Sequence, residues 1–169
     1  MDRHEFWQII NTAKEEGGDN LPRRLEVMER QLRQRSPAEI AEFHQVFWQV
    51  SREAYTWDLW AAAYIINGGC SDDGFEYFRW WLISAGEKAY TSALKDPDSL
   101  VEVCKGEDNC EFEDIASVAP NLYEELTGKS IPQEVFERTQ EPKGKRWEED
   151  DELDARLPRL CAAYRENDR

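Results

Sequence analysis

The residues between Trp57 and Trp81 combine aromatic rings with charged side chains in a way that could form a binding or catalytic site. Eight residues of this segment are Trp, Tyr or Phe, which bury large apolar areas. Charged side chains lie among them, and such side chains are seldom fully buried unless they are paired. The candidate ligand contacts are Trp57, Asp58, Trp60, Tyr64, Cys70, Ser71, Asp72, Asp73, Arg79 and Trp81.

The run Cys70-Ser71-Asp72-Asp73 is typical of a helix start. Ser is a favoured N-cap, and carboxylates in the first turn interact favourably with the helix dipole. The same dipole lowers the pKa of a nearby thiol, so Cys70 could be a nucleophile, although two adjacent carboxylates oppose that effect. The run therefore has three interpretations: a structural cap, a ligand contact or a cysteine nucleophile.

Arg79 is the only basic residue of the segment 57–81. In a helical hairpin its guanidinium could reach Asp58, Asp72 or Asp73 and bind a carboxylate through two hydrogen bonds. A structural ion pair makes a partly buried charge tolerable. The alternative is a site for an anion or a peptide carboxylate beside the neighbouring tryptophans.

The histidines and the remaining cysteines give no metal or catalytic motif. His4 lacks the second His of a zinc-binding H-E-x-x-H sequence, and His44 shares a predicted helix with aromatic residues, which favours a structural imidazole over a base. Cys104 and Cys110 lack the C-x-x-C pairs of a zinc ribbon. The dinucleotide, P-loop and serine-hydrolase motifs do not occur. We therefore expect no metal and no cofactor.

The elements that must position the candidate residues are predicted to be helices. Apolar residues recur at helical spacing from Phe6 to Ala13, a second helix begins after Asn20, and Ser36-Pro37-Ala38-Glu39 is a capping box that begins a third. We expect the third helix to bury Ile40, Phe43, Phe47, Val50 and Ala54. The sequence predicts an all-α fold.

A tight helical hairpin is predicted at the centre of the chain. The fourth helix runs from Trp57 to about Ile66, and Asn67-Gly68-Gly69 tolerates the left-handed conformation at a helix end. Ser71 caps the fifth helix, which ends at Gly86. The hairpin would bring the candidate ligand contacts together on two adjacent helices and the turn between them.

Beyond Gly86 the predicted elements are shorter. Residues 139–147 contain Pro142 and Gly144 and are predicted to lie extended over the domain, and Pro158 should divide the final helical stretch in two. Lys105 to Asn109 is a polar loop. The short helical pieces are Lys88–Leu94, Pro97–Val103, Phe112–Val118, Asn121–Leu126 and Pro132–Glu137. Together residues 1–169 suit one multi-helix domain.

The net charge is −15, and twelve acidic against three basic residues give −9 for residues 96–138 alone. Such a field repels phosphates and anionic lipids, so nucleic acid and membranes are not expected partners, whereas a basic protein would be attracted. No apolar run is long enough for a bilayer span, and the charged start is unlike a signal peptide. We expect a cytoplasmic protein with free thiols.

Four sequence blocks are similar to those of a known family. They are Phe6-Trp7-x-x-Ile10, the segment WDLWAAAYIINGGCSDDGF with FRWWLISAG behind it, DPDSL from Asp96, and P-x-G-x-x-W…L-P-R-L from Pro142 to Leu160. Through these blocks, which span nearly the whole chain, the sequence resembles the DUF4240 family of bacterial proteins of unknown function. The resemblance implies no reaction, cofactor or catalytic residue.

Two functional hypotheses follow. The first is a small acidic bacterial binding or regulatory module that acts through protein contacts, with a small ligand as a further possibility, and that inhibits a basic partner. The second is an enzyme whose pocket is lined by the Trp, Asp and Arg residues of 57–81. Unpaired carboxylates in a concave cleft would favour the enzyme, whereas mutually satisfied polar groups beneath packed rings would count against it.

Overall fold

The fold is all-α, as the sequence predicts. The structure, a computed structural model, describes residues 1–104, 110–133 and 141–165. The α-helices of these residues are α1 Arg3–Gly17, α2 Leu21–Leu32, α3 Pro37–Glu53, α4 Trp57–Ile66, α5 Asp72–Ser84, α6 Glu87–Lys95, α7 Val118–Thr127, α8 Asp150–Arg156 and α9 Pro158–Arg165. Two 3₁₀ helices, Pro97–Glu102 and Glu113–Ser117, lie between α6 and α7. None of the described helices has the length and apolar character needed to cross a membrane.

Side-chain caps define where the first three helices begin. Asp2 and Ser36 each form a capping box with the Glu three residues later, and Asn20 accepts a hydrogen bond from the Arg23 amide. These bonds satisfy backbone N–H groups that have no partner within the helix. The helix starts predicted at Asn20 and Ser36 are confirmed.

The core forms where the apolar faces of these helices meet. α1 packs along α2, and α3 packs against α5 and α7. The α3 face predicted from the sequence, Ile40, Phe43, Phe47, Val50 and Ala54, is buried in full. Removing these side chains from water supplies the main favourable free energy of the packing.

The α4–α5 hairpin has α4 at Trp57–Ile66 and the Ser71 cap at the start of α5, as predicted. Thr56 caps α4 and Ser71 caps α5, each through its hydroxyl oxygen. Between the helices Gly68 and Gly69 adopt φ values of 67° and 121°, which a side chain would make strained. The turn thus returns the chain at once, and α5 lies beside α4.

The short elements after α6 differ from the prediction in one respect. The sequence suggested separate pieces Phe112–Val118 and Asn121–Leu126, whereas α7 runs through Pro120 without a break. Proline is tolerated there because the first turn of a helix needs no donor from that residue. The predicted loop at 105–109 and most of the piece Pro132–Glu137 lie outside the described residues.

The C-terminal helices return to the middle of the chain. Pro158 begins α9 and separates it from α8, as predicted. The buried carboxylate of Asp98 accepts hydrogen bonds from the amides of Arg159 (3.1 Å) and Leu160 (2.9 Å). A side chain more than fifty positions away therefore caps α9, which joins the DPDSL and L-P-R-L blocks.

His44 provides a test of the α3 packing. Its imidazole is buried, and Nε2 accepts a hydrogen bond from the Trp48 indole at 3.1 Å, so it is the structural imidazole that the sequence predicts. Burial lowers the pKa of His44 below the ordinary value of 6.5. Because the unfolded chain then binds the proton more tightly, stability is complete above about pH 6.5 and falls as the pH drops towards the folded pKa.

We expect the free energy of unfolding to decrease between pH 7 and pH 5, by up to about 1.4 kcal/mol per pH unit. His44→Gln, which keeps an acceptor for Trp48, should flatten this slope. His4→Gln, at an exposed position, is the matched control and should retain it. Urea denaturation at several pH values measures the slopes, and a parent curve that is flat over this range would contradict the expectation.

Candidate functional site

Aromatic rings from α4 and α5 form a row at the surface of the hairpin. Trp57 stacks on Trp60 with ring centroids 5.2 Å apart, and Trp60 stacks on Phe75 at 4.9 Å. Trp57, Trp60 and Tyr64 are half-buried. They lie on one helix face because they are three and four residues apart. The Trp60 indole also donates to the Cys70 carbonyl at 3.0 Å. Trp60 therefore ties α4 to the start of α5.

Arg79 lies beneath this row and is buried. Its guanidinium carbon lies 4.6 Å from the ring centroid of Tyr55 and 4.9 Å from that of Phe75. Nη1 donates to the Ser51 carbonyl at 3.1 Å, and Nε to the Phe75 carbonyl at 3.4 Å. Burial lowers the pKa of Arg79, and the nearby charge of Glu76 opposes that effect. Ring faces and carbonyl oxygens thus accommodate the cation.

The predicted ion pair of Arg79 is wrong. Within the described residues no carboxylate oxygen lies within 4 Å of its guanidinium. Asp58 is exposed and pairs with Arg156 at 3.4 Å, while Asp72 and Asp73 face solvent at the far end of α5. The guanidinium points instead towards α3, whose Ser51 carbonyl is free because it lies in the last turn.

The Ser71 cap is confirmed. Its Oγ accepts a hydrogen bond from the Gly74 amide at 3.2 Å. Asp72 and Asp73 occupy the first turn of α5, where the helix dipole stabilises their charge. Both side chains are exposed, so the cap and a contact with a partner are compatible.

Cys70 lacks the lowered thiol pKa that an activated nucleophile needs. Burial raises the pKa of its thiol to about 12, the charge of Glu111 adds to this, Arg79 opposes it, and Asp72 has a smaller raising effect. The thiol is therefore protonated near neutral pH and has little nucleophilic character. The raised thiol pKa therefore counts against the interpretation of the Cys70 run as a cysteine nucleophile.

Trp81 belongs to the core and not to the aromatic row. It is 2% exposed, and its ring centroid lies 5.8 Å from that of Phe78. Its indole nitrogen has no acceptor in the described part of the chain. Helical geometry explains the separation, because Trp81 projects from a different face of α5 than Phe75 does.

The C-terminal segment adds Trp147 to this surface, a residue that was not among the candidate ligand contacts. Lys143 accepts a backbone hydrogen bond from the Trp57 amide at 2.9 Å and donates one to the Tyr55 carbonyl at 3.0 Å. Trp147 then packs on Trp57 and Tyr64, with ring centroids 6.0 and 5.6 Å away. Residues 141–147 form no helix and make one bridge to Thr56, as predicted for an extended segment, whereas residues 139 and 140 lie outside the described residues. In the sequence, Trp147 was marked only by the P-x-G-x-x-W block of the family resemblance, which does not show where its ring packs.

The family model for DUF4240, a protein of unknown function, matches residues 1–125. The chain belongs to the DUF4240 family. The match includes the first three blocks of the predicted resemblance, whereas the block from Pro142 to Leu160 lies beyond it. No curated protein and no solved structure matches this DUF4240 chain.

An acidic patch lies beside the aromatic row of the DUF4240 hairpin. The segment before the second 3₁₀ helix is held against α5 by the Phe112 amide, which donates to the Tyr77 carbonyl at 3.0 Å. A Cβ atom at Gly74 would lie 3.3 Å from the Glu111 carboxylate, so glycine allows that close approach. Burial and the charge of Glu113 raise the pKa of Tyr77, with smaller effects of α5 carboxylates. The acidic patch consists of Asp72, Asp73, Glu76, Glu111 and Glu113.

Two concavities of the described residues lie away from the candidate residues. One is a water-sized cavity of about 10 Å³ beside Arg24 and Ser84, and the other is a shallow cleft of about 560 Å³ at the start of α6. Neither is lined by residues 57–81. No three His, Cys, Asp or Glu side chains of residues 1–104, 110–133 and 141–165 converge as metal ligands would.

The environment of Arg79 predicts a specific pattern of coupling. Arg79→Met should cost about 1–3 kcal/mol, because the buried Ser51 carbonyl loses its donor. Asp72→Asn should add to this loss with an interaction energy within about 0.5 kcal/mol of zero, as expected for groups that share no contact. Urea denaturation of the two single variants and the double variant gives the coupling energy. A coupling above 1 kcal/mol would restore the ion pair.

Trp60 is expected to stabilise the hairpin although it is only half-buried. Trp60→Ala should cost about 2–3 kcal/mol, because two ring stacks and one hydrogen bond are lost. Trp60→Phe keeps a stacking ring and should cost about 1 kcal/mol, mainly for the lost bond to Cys70. Thermal and urea melts measure both. Equal melting of parent and Trp60→Ala would make Trp60 a binding residue without a structural role.

Proposed function

We propose that this chain is a small acidic binding module of the bacterial cytoplasm that contacts a basic protein partner and inhibits it. The acidic patch carries the proposal. Within the described residues none of its five carboxylates has a Lys or Arg nitrogen within 4 Å. Elsewhere on the described surface, carboxylates such as Glu53 and Glu125 are paired with arginine.

Mutual repulsion within the acidic patch favours a cationic partner. Asp72, Asp73 and Glu113 are exposed, and Glu76 and Glu111 are half-buried. Solvent therefore screens the charges of Glu76 and Glu111 only in part. A partner that brings Lys or Arg side chains relieves this repulsion, and the overall negative field raises the rate of encounter. The same field disfavours nucleic acid and anionic lipid.

Inhibition follows from the chemistry of such a partner. A protein that uses a basic surface to hold an anionic substrate loses that surface when the acidic patch occupies it. The half-buried ring of Tyr77 lies within the patch and offers a face on which an arginine can stack. The patch therefore supports recognition of arginine-rich surfaces in particular.

Neutralising two carboxylates tests the position of the binding surface. Asp72→Asn/Asp73→Asn should weaken the binding of an arginine-rich peptide about threefold to tenfold at low salt, because two exposed charges of the patch are lost. Isothermal titration calorimetry at two salt concentrations measures the change. The difference between parent and variant should shrink at high salt.

A second pair of aspartates supplies the matched control. Asp150 and Asp151 are also adjacent, exposed and in the first turn of a helix, so Asp150→Asn/Asp151→Asn makes the same change in charge and setting. We expect this variant to bind like the parent. Equal weakening in both double variants would mean that net charge alone attracts the peptide, and the proposal would fail.

A further inference from the structure

Residues 142–147, here called the strap, are themselves bound to the hairpin as an extended peptide. Two backbone hydrogen bonds join Lys143 to residues 55 and 57, forming an isolated parallel bridge. The Trp147 ring fills the space beside Trp57 and Tyr64. Proteins also bind extended peptides from other molecules through main-chain hydrogen bonds together with side-chain contacts.

The charge of the strap is opposite to that of the whole chain. Its sequence Pro-Lys-Gly-Lys-Arg-Trp holds three cations and no anion. The Arg146 guanidinium lies 5.2 Å from the ring centroid of Trp57, a cation–π contact. The segment that covers this surface is thus basic and ends in a tryptophan.

The strap is held through its backbone and through Pro142 and Trp147, while its basic side chains lie in solvent. Pro142 is buried and Trp147 half-buried, while the four residues between them are exposed. Arg156 secures the far end from α8, donating to the carbonyls of Lys145 at 2.5 Å and Arg146 at 3.3 Å. Release of the strap would therefore uncover the surface without disturbing the α4–α5 stack beneath it.

The family comparison separates the surface from its cover. The surface contacted by the strap, formed by Tyr55, Trp57 and Tyr64, lies within the residues that the DUF4240 model matches, and the strap lies outside them.

We propose that the strap occupies a peptide-binding surface of α4 and that a partner's extended basic segment with a tryptophan competes for this surface by displacing the strap. The inference deepens the proposed function, because it names the partner segment and a contact that holds binding in check. The experiment that tests this inference does not depend on the acidic patch. A covered site lowers the apparent affinity in proportion to the fraction of molecules with the strap released.

A labelled peptide with the sequence of residues 141–148 is the probe. We expect full-length chain with Trp147→Ala to bind this peptide about tenfold or more tightly than the parent, because the competing ring is gone. Arg156→Gln should raise the affinity in the same direction, since it loosens the strap without altering a ring. Fluorescence anisotropy gives the affinities, and circular dichroism confirms that each variant is folded.

Two controls establish where the peptide binds. A probe with alanine in place of its tryptophan should lose its affinity for the Trp147→Ala chain, and adding Trp57→Ala to that chain should abolish binding of the original probe. The inference is overturned if neither strap variant binds more tightly than the parent, or if the alanine probe binds equally well. Concentration-dependent dimers of the parent that vanish in Trp147→Ala would assign the surface to a second copy and also overturn it.

The outcome can be separated from that of the proposed function. Asp72→Asn/Asp73→Asn leaves the strap contacts intact, so a gain of peptide affinity in Trp147→Ala can occur whether or not the acidic patch binds an arginine-rich peptide. Conversely, if the acidic patch binds such peptides and the strap variants show no gain, the proposed function stands and the inference about the strap is rejected.

Discussion

Burial of the Arg79 guanidinium constrains the centre of this molecule. A cation removed from water must find compensating partners, and here they are two ring faces and two backbone carbonyl oxygens. The rings of Tyr55 and Phe75 must therefore hold fixed positions. Phe75 in turn stacks on Trp60, which stacks on Trp57. The orientation of the surface on α4 thus depends on a charge that lies beneath it.

Local signals in the sequence predicted the helices well and the partners of the charges poorly. The caps at Asn20, Ser36 and Ser71 depend on bonds within three residues, so the sequence alone contains both partners. The environment of Arg79 depends on which way α5 turns relative to α3. Asp58 finds its cation at Arg156, 98 positions away. No periodicity reports such a pairing, and nearness in sequence suggested the wrong one.

The buried polar groups that join distant segments were likewise not predicted from the sequence. Arg24 is 5% exposed and donates to the Gly18 carbonyl at 2.7 Å and to the Ser84 hydroxyl at 3.1 Å, although its place among four other arginines gave no sign of burial. Asp98 caps α9 from another element. In both cases a buried, hydrogen-bonded polar group links two distant segments, because leaving it unpaired would cost far more than the bond contributes.

The row of three stacked rings has a guanidinium at each end, and the two ends differ in exposure. Arg79 over Phe75 is buried, whereas Arg146 near Trp57 is exposed. Cation–π contacts contribute about 2 kcal/mol or more when desolvated and about 0.5–1 kcal/mol in water. The buried end is therefore a permanent part of the core, and the exposed end can exchange its cation at small cost. In this structure the cation at the outer ring of the row comes from the strap.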